Sequence, residues 1–246
     1  MPSLLKSAGR ALRAAWRTWL QERDRTTGAQ QPAHPWPDIP DADLRTLHAI
    51  SHLTMTSVER RHALLQAVRH ITRHRLPGSV VECGVWRGGS MVLAAETLLR
   101  AGDTTRQLFL FDTFEGMPPP TTKDVDPLGN PASMLLQNDT RTRQQSDLWA
   151  EAPLDRVRAH LTATGYPQTH LHFIKGRVED TLPAQAPSQI ALLRLDTDWY
   201  ESTRHELQHL YPCVVSGGIV IIDDYGFWSG ARLAVDEFLE HCPDAL

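Results

Sequence analysis

From Ser79 onward the chain alternates short apolar runs with helix-length amphipathic stretches, and this alternation restricts the fold more than any other feature. Five runs have strand length: SVVECGV (79–85), QLFLFDT (107–113), LHFIKG (171–176), IALLRLDT (190–197) and GGIVIIDD (217–224). Helical spacing fills the gaps, from Ser90 to Arg100, Leu154 to Thr164, Tyr200 to Tyr211 and Gly230 to His241, with Gly102 and Gly165 as stops for the first two. Nearly continuous apolar strands are buried on both faces, and parallel neighbours require a crossover long enough for a helix. The expected fold class is therefore α/β, an open, doubly wound, mainly parallel sheet with helices on both faces. Ligands in such sheets bind outside the carboxyl ends of the strands, so the residues that follow each run are the ones to read for chemistry.

Upstream, Leu64, Leu65, Ala67, Val68 and Ile71 recur at helical spacing between Thr54 and His74, and Pro77-Gly78 ends that helix. Residues 24–41 have the proline-rich composition of a linker. The first twenty residues are apolar but interrupted by Lys6, Arg10, Arg13 and Arg17, which gives a basic amphipathic helix rather than a signal peptide. The expected organisation is an N-terminal helix and strap over 1–50, which packs on its own domain or on a second copy in a homo-oligomer, and one domain over 51–246. Within that domain the polar stretch from Glu115 to about Gln145 is long enough to act as a lid.

Composition removes several function classes. Hydrophobic residues make up 41% of the 246, which excludes a disordered or fibrous chain. A net charge of −4 offers no general field for nucleic acid, so any partner, a small-molecule acceptor included, is recognised locally. No apolar run approaches the ~20 residues of a membrane span. Cys83, Cys213 and Cys242 are an odd number without CxxC spacing, which fits a reducing cytoplasm better than a disulfide or zinc framework.

The first run leads into Glu82-Cys83-Gly84-Val85-Trp86-Arg87-Gly88-Gly89-Ser90 and then a helix. Gly84 suits a tight turn, while Gly88 and Gly89 would let the backbone approach a ligand at the helix N-terminus. No Gly-Lys-Ser/Thr follows, so this is not a phosphate P-loop. The second run ends in Asp112, where an acid could accept hydrogen bonds from a ribose diol or simply cap the turn. The fourth and fifth runs deliver Asp196, Asp198, Asp223 and Asp224 to one sheet edge. Four like charges repel unless a cation neutralises them, and an all-oxygen set suits a hard ion such as Mg²⁺. For Asp198, just before a helix, capping is the competing role.

His205-Glu206-Leu207-Gln208-His209 matches the HExxH pattern of zinc hydrolases. Thr203, Leu207, Leu210 and Tyr211 form the apolar stripe of that helix, which turns both histidines away from the core. The Asp196/Asp198 pair also admits a metal-dependent glycosyltransferase, which does not explain the glycine turn, or a phosphotransferase, which expects its DxD after the first strand with further motifs downstream.

Taken together, ECGVWRGGS, FDTFEGMP, LLRLDTDWYEST, GGIVIIDDY and GARLAVDEF resemble the macrocin O-methyltransferase family over roughly residues 78–240. The resemblance implies a class I methyltransferase, Rossmann-like fold that uses S-adenosylmethionine and Mg²⁺ to methylate hydroxyls of antibiotics, often on a deoxysugar. By motif match, Glu82, Gly84, Gly88 and Ser90 would line the methionine end of the cofactor, Asp112 would hold its ribose, and Phe114 with Glu115 would frame the adenine. Asp196, Asp223 and Asp224 would be metal ligands, with Asp196 and Asp198 the catalytic pair and Asp198 the general base. Trp86, Trp199, Tyr200, Tyr225 and Trp228 are candidates to stack on the acceptor. The family fold closes its sheet with an antiparallel hairpin; here the sequence ends after the last helix, so that hairpin is expected to be missing. The rival reading is a non-catalytic cofactor-binding scaffold of the same fold.

Overall fold

The computed structural model describes residues 35–242. The basic helix expected over the first twenty residues lies outside the described residues, as does most of the linker. The chain divides into two compact units, residues 1–43 and 44–246. In the first, Ile39 N donates to Trp36 O at 3.1 Å and Asp43 N to Pro40 O at 2.8 Å, a turn that leads into helix α1 (Asp41–Ala49). No helix among the described residues is long and apolar enough to cross a membrane.

The second unit continues with α2 (Val58–Arg73), whose Ser57 cap accepts from Arg60 N. It then runs β1 (Ser79–Cys83), α3 (Gly89–Arg100), β2 (Leu108–Asp112), α4 (Ala132–Gln137), α5 (Leu154–Ala163), β3 (Leu171–Lys175), α6 (Val178–Thr181), β4 (Ile190–Leu195), α7 (Tyr200–Leu210), β5 (Val214–Ile222) and α8 (Ser229–His241). The five strands form one parallel sheet in the order β3-β2-β1-β4-β5. Strand side chains alternate between its faces. Val81, Cys83, Leu193 and Leu195 meet Val178, Leu207, Leu210 and Val235 of α6, α7 and α8 on one face, while α2 and α3 pack on the other. The all-apolar runs are thus explained by burial on both sides.

Successive strands step from β1 to β2 to β3, and the chain then crosses back to lay β4 on the other flank of β1. The β1/β4 junction is therefore the topological switch point, where the flanking loops part and leave a crevice. Gly217, at φ +79°, lies in a register shift between Ile190/Val214 and Leu192/Ile219. This bulge is why β5 starts at Val214, ahead of the Gly-Gly pair that marks its onset in the sequence. Among the described residues β5 pairs with β4 alone, and no antiparallel hairpin covers its outer edge. A groove of about 470 Å³ runs beside that edge, lined by Ala63, Ala67, His70, His74, Ile219 and Ile221.

The expected lid is more ordered than its composition suggests. It contains α4 and, at its end, a single-turn 3₁₀ segment (Arg143–Gln145), and Asp124 and Asp126 within it are buried. Asp124 accepts from Tyr200 N at 2.8 Å, the start of α7, and from both the backbone N and hydroxyl of Thr121. Ala132, Leu136, Trp199, Trp228 and Ala231 form a small core of their own beneath it. This stretch reads as unpatterned because its apolar anchors, Trp199 and Trp228, come from elsewhere in the chain.

Candidate active site

The turn after β1 is built by hydrogen bonds rather than by a ligand. Asp112, at the tip of β2, accepts from Val85 N (2.6 Å) and Trp86 N (3.0 Å) through one oxygen and from Phe114 N (2.6 Å) through the other. Burial raises its carboxyl, and these three donors pull it back down. Trp86 (φ +47°) and Phe114 (φ +54°) occupy the left-handed region within this network, a conformation that persists only where surroundings over-determine it. Asp112 thus makes the capping bonds weighed as the alternative to ribose contact.

Gly84 fits the tight turn read from the sequence, whereas Gly88 and Gly89 correct that reading. A Cβ on Gly84, at φ +81°, would collide with the carbonyl of Asp196, so this glycine lets the ends of β1 and β4 close on each other. A Cβ on Gly88 would meet Leu161 and Val157 at 3.1 Å, and one on Gly89 would meet Leu53 O at 2.6 Å. Protein, not ligand, fills the space that Gly88 and Gly89 leave open.

Across the switch point the register sets Glu82 beside Arg194. Both project to one face of otherwise apolar strands, and both are buried. Arg194 pairs with Glu82 (2.8 Å), Asp196 (2.6 Å) and Asp223 (3.0 Å). Asp223 receives a second guanidinium from Arg60 of α2, at 2.8 Å. The premise that an external cation alone could balance these acids is therefore revised: Arg194 and Arg60 supply part of the charge. Sequence reasoning missed Arg194 because it reads as one polar residue inside a strand. The signal was there, since Glu82 and Arg194 are the lone charges of adjacent buried strands and a buried charge requires a partner.

Among the described residues, the five carboxyl groups Glu82, Asp196, Asp198, Asp223 and Asp224 meet only these two guanidinium groups. Asp196, Asp223 and Asp224 each offer one oxygen, all within 4.8 Å of one another. Asp198 sits at φ +68°; its N–H donates to Asp224 at 3.2 Å and its carboxyl is held by the Asp224 and Trp228 side chains. Burial, then the neighbouring acids, push the Asp198 carboxyl up to about 7. Burial and Asp198 likewise raise Asp224, and burial lifts Glu82 to about 7 against the pull of Arg194. The second oxygen of Glu82 is buried without a hydrogen-bond partner, and Ser90 lies beside the carboxyl.

Other expectations divide. Phe114 is buried just beyond β2 and Glu115 is exposed, paired with Lys175 at 2.5 Å. Trp199 and Trp228 are buried in the lid's core and Tyr200 is buried at the start of α7, which leaves half-buried Trp86 and exposed Tyr225 as stacking candidates. The histidines of the HExxH pattern meet edge to face with centroids 4.3 Å apart, while Glu206 points inward and is fully buried. Among the described residues this trio does not form a metal-ligand group.

Comparison with known proteins agrees with this architecture. The model of the macrocin O-methyltransferase family matches residues 13–242. A tetracenomycin rhamnosyl 4'-O-methyltransferase from Streptomyces olivaceus is 36% identical over 203 residues, 81% of this chain and 73% of the relative. Demethyldecarbamoylnovobiocin O-methyltransferase from Streptomyces niveus is 34% identical over 75% of this chain and 67% of its own. Among solved structures, the O-methyltransferase NovP superposes with a TM-score of 0.64 at 32% identity, covering 78% of this chain and 75% of NovP. These similarities carry the class I methyltransferase fold.

Proposed function

The chain belongs to the macrocin O-methyltransferase family, and from that premise we propose that it moves a methyl group from S-adenosylmethionine to a sugar hydroxyl of a glycosylated natural product, in the cytoplasm, with Mg²⁺ at its carboxylate edge. The observation that carries this reading is the convergence at the β1/β4 crevice of the turn after β1 with three carboxylates whose oxygens lie within 4.8 Å. A sugar acceptor follows the relatives, one named for a rhamnosyl 4'-hydroxyl and another, from Micromonospora griseorubida, for the 3''-position of mycinamicin III.

The residues fit both groups. The orphaned, buried oxygen of Glu82 is the acceptor that an α-ammonium would satisfy, with Ser90 beside it and Asp112 and Phe114 toward the nucleoside side. Asp196, Asp223 and Asp224 would hold the cation: the donor set is all oxygen, and charge remains after Arg194 and Arg60 are counted. When bound, a divalent cation would supply Lewis acidity that lowers the pKa of the acceptor hydroxyl. The chain's own residues do the rest. Arg194 keeps Glu82, Asp196 and Asp223 at fixed separation, so the charged edge needs no reorganisation during the reaction. Asp198, tuned toward neutrality, takes the proton that the hydroxyl loses. The ordered lid, anchored through Asp124, holds the acceptor in line with the methyl group and limits water.

The test is methyl transfer to a panel of rhamnosylated aromatic polyketides with S-adenosylmethionine and Mg²⁺. One added methyl on the sugar, lost on chelation, is the expected product. Full activity after chelation would remove the metal, and transfer to a free phenol alone would replace the acceptor class.

A further inference from the structure

Glu206 is a buried acid that the reaction as described leaves unused. It sits in the middle of α7, where its side chain leans back toward the helix start. Thr197 Oγ1 donates to its Oε1 at 2.9 Å, Cys83 at the end of β1 lies beside the carboxyl, and Oε2 has no hydrogen-bond partner. No cation pairs with it among the described residues. An orphaned buried carboxyl oxygen is costly to keep, and an apolar residue of similar size would spare that cost.

We infer that Glu206 is a positioning residue for the metal edge: by holding the Thr197 hydroxyl it pins the Asp196-Thr197-Asp198 turn against the end of β1. Thr197 is the middle residue of that turn, between a proposed metal ligand and the proposed base. The turn contains a left-handed aspartate, Asp198, and such backbone keeps its shape only when several contacts fix it. Asp196 N donates to Cys83 O at 2.8 Å and Asp198 N to Asp224 at 3.2 Å, which fixes the two flanks; Glu206 fixes the centre through the side chain. The glutamate of the HExxH pattern thus serves the carboxylate edge from beneath rather than a zinc ion on the helix surface. This inference rests on the metal reading given above.

The experiment is calorimetric titration of the full chain with Mn²⁺, and separately with S-adenosylhomocysteine, in the wild type, Glu206→Gln, Glu206→Met, Thr197→Val and the Glu206→Met/Thr197→Val pair. Glu206→Met and Thr197→Val should each weaken Mn²⁺ binding about tenfold, the low end for a group that orients metal ligands. The pair should lose no more than either single change, because both cut the same bond. Glu206→Gln should stay within about threefold of wild type, since its amide oxygen can accept the same hydroxyl. S-adenosylhomocysteine affinity should be level throughout, and the melting temperature of Glu206→Met level or higher. Wild-type Mn²⁺ affinity in Glu206→Met would overturn the proposal and leave a core residue. A wild type that binds S-adenosylhomocysteine but no Mn²⁺ would overturn the metal reading and this proposal together.

Discussion

Asp112, at the end of β2, and Asp224, at the end of β5, stand on the same rim of the sheet and meet opposite surroundings. Asp112 spends its oxygens on three backbone N–H groups and so becomes part of the turn it holds. Asp224 faces Asp198 and Asp223, and burial with their charge raises its carboxyl. Backbone donors stabilise the ionised form without adding charge, whereas neighbouring acids oppose it. Burial raises both carboxyls, but backbone donors fix the half around Asp112, whereas the half around Asp224 holds unbalanced charge available to a cation or a proton. Arg194 stands at the seam, anchored on Glu82 of β1 and reaching Asp196 and Asp223.

Removing the seam should have the largest effect. Arg194→Met leaves three acids without their shared counter-charge, and breaking a buried ion pair from one side costs about 3–5 kcal/mol. Urea unfolding should show that loss, with Mg²⁺ restoring part of it; an unchanged midpoint would erase the contrast between the halves. Asp196→Asn acts on the charged half alone. If partners that merely orient metal ligands cost 10–100-fold, a direct ligand should cost more than about 100-fold in metal-dependent turnover, while S-adenosylhomocysteine binding stays intact. Undiminished turnover would sink the metal assignment.

Asp198→Asn tests the base. Turnover should drop about 100-fold, the lower end for a general base. In the wild type the rate should rise with pH as Asp198 sheds its proton, and that limb should vanish in the variant; lost cofactor binding would show a different role. The smallest effect lies off the rim. Arg141 and the Ser146 hydroxyl hold the Asp139 carboxyl well below the usual carboxylate range. A depressed folded-state value gives stability that is present above the unfolded pKa near 4 and fades as pH falls below it. Asp139→Asn should therefore lose about 1 kcal/mol near pH 7, and the deficit should shrink toward pH 3 without closing, as followed by thermal melts from pH 7 to 3. Equal deficits at both ends would remove the ionic cause.

The sheet was legible because parallel strands buried on both faces must be apolar throughout, and the meeting of Asp196, Asp223 and Asp224 followed from placing strand ends side by side. The roles of Gly88 and Gly89 were not: a glycine that admits a ligand and one that admits Leu161 or Leu53 O impose the same requirement on the sequence. Arg194 was hidden by its apolar neighbours, and Glu206 by a chance metalloprotease spelling. The lid's order depends on Trp199 and Trp228, far along the chain, which no local pattern within 115–145 could reveal.

The most direct test of a methyltransferase rim with one settled and one charged half is calorimetric titration of S-adenosylhomocysteine into the protein, with and without Mg²⁺, followed by titration of Mg²⁺ itself. The account predicts that S-adenosylhomocysteine binds in either condition and that Mg²⁺ binds once per chain, independently of it. S-adenosylhomocysteine that fails to bind, or a cation site that survives the loss of Asp196, would contradict it.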